Sequence, residues 1–199
     1  MHKYEEQLER IRRWFNRIYL LMNDTSTPFV REAECYSDEF HAFFIECHSM
    51  ADWLRNDPVF GRSNEVSKYI RKTPSLQFCS DLANGKKHLQ LIDGKRWNKN
   101  EPVDGLLFHF AVCNGNETTA DVGSDRLGAD KANQIRKTWQ ECDVPDEDIT
   151  IAVFADIIVD GEASGSPFDG AIELAWDAYE AWCRFLGVAV NGSPKTDQA

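Results

Sequence analysis

No apolar run in this chain reaches the roughly 18–20 residues needed to span a bilayer. That excludes a helical membrane span. The first fifteen residues, MHKYEEQLERIRRWF, also lack the apolar stretch of a secretory signal and read instead as a charged amphipathic helix. The expected location is therefore the cytoplasm. No two of the six cysteines (Cys35, Cys47, Cys79, Cys113, Cys142 and Cys183) lie within four residues of each other. This excludes CxxC redox motifs and zinc knuckles. Without an export signal there is no case for a disulfide framework, so buried, reduced thiols are expected. Walker loops, GxGxxG, GxSxG and HExxH are all missing, which removes the sequence signatures of nucleotide, serine-hydrolase and zinc-protease sites. No cofactor or metal is assigned.

The most uneven feature is positive charge. Net charge is −11, and no Lys or Arg occurs from Thr138 to Cys183, a stretch that carries acids from Glu141 to Glu180. Arg62 to Lys99 is the reverse, with Lys68, Arg71, Lys72, Lys86, Lys87, Lys95 and Arg96 against Glu65, Asp81 and Asp93. Such a split suits either a basic face for nucleic acid or mutual attraction of the two regions within the fold or a dimer. The global acidity argues against nonspecific duplex binding, whose affinity comes from neutralising phosphates.

The 199 residues suffice for one well-filled core, and six Trp among 12% aromatic residues predict large rings in it or at an interface. Leu8, Ile11, Phe15, Ile18 and Met22 form a helical seam over about 2–22. A second helix is expected over about 29–56, burying Phe40, Phe43 or Phe44, Cys47, Met50 or Ala51, and Leu54. Asp57-Pro58 ends it. A short helical piece comes next, over about 64–72. Thr73-Pro74 reads as the cap and first position of a helix reaching about Leu91. Leu106 to Cys113 alternates as a strand, and Asn114-Gly115 signals a type I′ hairpin turn into a strand over 116–122. A helix over 129–140, a strand over 149–159 and a helix over 169–186 complete the order, the last with Ile172, Trp176, Tyr179, Cys183 and Leu186 on one face. The expected fold is mostly α (α+β), an antiparallel helical bundle with an inserted small antiparallel β-sheet. It forms a single domain over 1–190, with the bundle drawn from 1–92 and 168–187, the insertion from 105–160, and a disordered tail over 191–199.

The segment Leu76 to Leu91, LQFCSDLANGKKHLQL, carries the candidate site. On a helix Asp81, Asn84 and His88 share one polar stripe, beside Lys86 and Lys87. An Asn and a His one turn apart next to cations suit phosphate binding or acid–base chemistry. On the second helix His48 and Asp52 are four apart, so the carboxylate could orient the imidazole. If the two helices pack antiparallel, the flanks could meet as one composite cluster. A polar interhelix network or a solvated edge of the bundle would show the same pattern. Asp156, inside an apolar strand, reads as a functional acid if buried and as an ordinary polar position if it faces outward.

The run Ala83-Asn84-Gly85-Lys86-Lys87-His88 resembles the Arg-Asn-x-x-x-His signature of HEPN-type helical bundles, prokaryotic proteins many of which are dimeric, metal-independent ribonucleases of toxin and antiphage systems. The family's Arg falls on Ala83, and Lys86, Lys87 or Arg55 is available as a substitute cation. HSMADWLRNDP and DLANGKKH also look like pieces of uncharacterised bacterial or phage-associated proteins. The resemblance implies an RNA-targeting ribonuclease in stress or defence, acting as a homodimer. His88 would be its general acid or base, Asn84 would position the phosphate, and Lys86 or Lys87 would stabilise its charge. Asp81, His48 and Asp52 would be in support. The alternative is a non-catalytic protein-interaction module with a structural Asp/Asn/His network, whose acidic C-terminal half contacts a basic protein partner.

Overall fold

Helix α1 (Lys3–Asn23) forms on the expected seam: Leu8, Ile11, Phe15 and Ile18 are all buried. Helix α2 (Ala33–Asn56) buries Phe40, Phe43, Phe44, Cys47, Met50, Ala51 and Leu54. Both members of each either-or pair are inside, because α2 is covered on more than one side. It ends where Asp57 Oδ1 accepts from the Val59 N–H, an Asx turn that takes the chain out of the helix. The computed structural model of the protein describes residues 3–23, 33–87, 103–114, 117–145, 148–159, 162 and 170–190. The links expected over 24–28 and 161–167, the remainder of the fourth helix to Leu91, and the polar tail from 191 fall largely or wholly outside them.

A single 3-10 turn (Ser63–Glu65) and helix α3 (Val66–Ile70) lead to helix α4 (Pro74–Lys87). Pro74 opens α4 as expected. Thr73, however, spends its hydroxyl on the carbonyl of Tyr69 at 2.9 Å, so its side chain closes α3 rather than capping α4. The sheet has the order β2-β1-β3, with β1 (Val103–Asn114) central, antiparallel to both β2 (Glu117–Ser124) and β3 (Ile149–Val159). The reversal between β1 and β2 falls where the Asn-Gly pair predicts, with Asn114 in register with Glu117. Helix α5 (Asp125–Glu141) begins four residues earlier than its periodicity suggests, directly after β2. Helix α6 (Ala171–Leu186) is the last of the described elements.

One continuous core joins helices and sheet. Tyr36 and Phe40 of α2 meet Phe108 and Phe110 of β1, with ring centroids 5.8–5.9 Å apart. Phe15 of α1 gathers Phe43, Trp176 and Tyr179. The buried stripe of α6 is Leu174, Ala178, Ala181, Trp182 and Phe185 as well as Tyr179 and Cys183, while Ile172, Trp176 and Leu186 lie on its flank. Residue volume explains this correction. Ala171, Ala175, Ala178 and Ala181 let neighbouring backbones approach, and the large rings then fill the margins. Three polar pins fix α6. Trp182 Nε1 donates to the Cys47 carbonyl at 3.1 Å, the Tyr69 hydroxyl donates to the Ala181 carbonyl at 2.9 Å, and Arg62 donates to the Phe185 carbonyl at 2.7 Å. The Arg62 guanidinium also lies 5.0 Å from the Phe185 ring and 5.5 Å from that of Phe60.

Helices α5 and α6 end with the same paired hydrogen bonds. Val188 N–H reaches Cys183 O and Gly187 N–H reaches Arg184 O; Val144 N–H reaches Trp139 O and Asp143 N–H reaches Gln140 O. The left-handed residue is Gly187 (φ 71°) in α6 and Asp143 (φ 60°) in α5. A side chain in that conformation carries a steric cost that glycine avoids. Asp143→Gly should therefore stabilise the protein, by up to about 1 kcal/mol, read as an increased midpoint in urea denaturation. Gly187→Ala should do the opposite.

Candidate functional site

Helix α4 packs against α2, α3, α6 and β1. That enclosure decides the fate of the candidate stripe. From Phe78 to Ala83 every residue of α4 is buried, including Ser80 at 3% exposure and Asp81 at 0%. Asp81 is therefore not part of an open polar stripe. It is a fully buried carboxylate, and such a group is tolerable only when partnered; it does have a partner. Ser80 disposes of its own polarity by donating to the Leu76 carbonyl at 2.8 Å. Asn84 is the first half-buried position of the stripe. His88 and the side chains of Lys86 and Lys87 lie outside the described residues. Ala83, where the family resemblance puts a catalytic Arg, is fully buried.

The α2 side of the expected cluster divides. His48 is half-buried and engaged by a partner. Asp52 keeps 67% of its side chain exposed, with Oδ1 held by Arg55 at 3.1 Å. Arg55 also donates to Ser67 Oγ at 2.9 Å, which ties the end of α2 to α3. The substitute cation is thus committed to holding two helices together. A buried Asp81 and a solvent-facing Asp52 occupy different environments, although α2 and α4 are direct neighbours.

The sheet places a second polar pair that strand alternation hints at. His109 of β1 and Asp156 of β3 face away from the helices, and His109 Nε2 lies 2.9 Å from Asp156 Oδ2. The register pairs His109 with Phe154 and Leu107 with Asp156, so the ion pair is diagonal across the two strands. The approach is close, but Nε2 makes no well-aligned hydrogen bond. Asp156 is therefore an outward acid with a partner, rather than a buried functional one. Alternating residues on both strands were legible; that the diagonal would join these two required the register.

The thiols divide by burial. Cys47, Cys79 and Cys183 are inside, Cys113 is half-buried, and Cys35 and Cys142 are exposed; all six are free. The exposed pair corrects the expectation of general burial, since both lie at helix margins where the apolar seam does not reach. Burial pushes the Cys47 thiol well up, and its hydrogen bond with Cys79 adds to this. Burial likewise raises Tyr179, whose hydroxyl donates to Cys183. The Cys47 and Cys183 thiols remain protonated and unreactive. A maleimide should label Cys35 and Cys142 rapidly in the native protein and reach Cys47, Cys79 and Cys183 only in denaturant, as counted by mass spectrometry.

The acidic C-terminal half shows its cost on α6. Burial raises the Asp177 carboxyl, and Glu173 and Glu180 on the same face raise it further, only partly offset by Arg184. A carboxyl whose folded pKa lies above its unfolded value makes folding less favourable once ionised. Stability therefore rises as pH falls through the raised folded value towards the ordinary one. Asp177→Asn should raise the melting temperature at pH 7, through a gain in stability on the order of 0.5 kcal/mol for a half-exposed like-charge array. The gain should vanish when both proteins are melted below about pH 4.

Among the described residues no group of three or more His, Cys, Asp or Glu comes together as a metal site, and no helix is long and apolar enough to cross a membrane. No family model, curated protein or solved structure matches the chain.

Proposed function

We propose that this chain is a non-catalytic interaction module on a HEPN-like helical bundle, using the acidic surface of its C-terminal half to hold a basic protein partner. The observation that carries this reading is the complete burial of Ala83 and Asp81. On α4, the position that resembles the family's catalytic Arg is a core position. A guanidinium there would be enclosed by apolar neighbours, and burying an unpaired cation is prohibitive. Asp81 then belongs to the packing of α4. The like-charge array of Glu173, Asp177 and Glu180 is the second support. An acidic face that Arg184 offsets only in part is one that a cationic partner stabilises further, and such contacts act mainly through steering and specificity.

A second reading rests on Asn84, which is the first residue of the stripe to approach the surface. In it His88, Asn84, Lys86 and Lys87 form an RNA-cleaving site in a dimer of defence type, with His88 as acid or base.

One set of measurements separates the two. The full chain and His88→Ala are incubated with single-stranded RNA, and binding to a Lys-rich peptide is followed by calorimetry at two salt concentrations. The module reading expects no cleavage by either protein. It also expects salt-sensitive peptide binding that weakens in Glu173→Gln/Asp177→Asn/Glu180→Gln. Cleavage by the parent chain that falls by about 10²–10⁴ in His88→Ala would overturn it in favour of the ribonuclease.

A further inference from the structure

We draw no further inference here: the strongest candidate, the surface patch around Phe154 on the outer face of the sheet, carries none, because nothing in the structure shows what covers it.

Discussion

The enclosure of helix α4 is the constraint on which the rest of this structure depends. A helix that packs against α2, α3, α6 and β1 has no free side along most of its length. Its residues from Phe78 to Ala83 must therefore all be compatible with an interior, whatever their polarity. Ser80 meets this by donating to its own helix, and Asp81 by taking a partner. The polar stripe that suggests chemistry in the sequence thus begins inside the protein and emerges only at Asn84. Any chemistry on this stripe is confined to Asn84 and the residues C-terminal to it.

Around that helix the fold is held by aromatic contacts and a few directed hydrogen bonds. Phe40 and Tyr36 attach the sheet to α2, Phe15 draws α1 against α6, and Trp182 locks α6 to the backbone of α2. Rings suit these junctions because each buries a large area while losing few rotamers. Cations are used as fasteners too. Arg62 ends α6 between two Phe rings, and Arg55 bridges Asp52 and Ser67. Arg17 reaches Glu39 across α1 and α2 while lying 5.2 Å from the Trp14 ring. Several basic residues that a count of charges offers to a ligand are spent on the protein itself. The acids of α6 have fewer cations among them, and Asp177 registers this as a raised carboxyl.

The sheet raises a different question of balance. Its inner face follows the expected alternation and meets the helices. Its outer face keeps Leu107, Phe154 and Ile158 where water would favour polar groups, with His109 and Asp156 as its described charges on β1 and β3. A surface of this composition costs solubility unless something covers it. The alternation of strand residues fixes which side of the sheet each occupies.

Sequence alone determined the elements whose signal is local. The α1 seam, the β1 alternation, the Asn-Gly reversal and the bounds of β3 are set by side-chain period and turn chemistry, which act over a few residues. It also determined the acidic C-terminal half and the lack of disulfide spacing. Tertiary structure decided which face of each element is inside. Ile172, Trp176 and Leu186 share the helical period of the α6 core, but the alanines beside them permit the closer approach and so take the centre. Asp81 and Asp52 look alike in a helical pattern, yet one is enclosed by neighbouring elements and the other is open to water. His109 and Asp156 are 47 positions apart, and only strand register makes them a pair. In each case the deciding energy is burial against a partner distant in the chain, which no local period encodes.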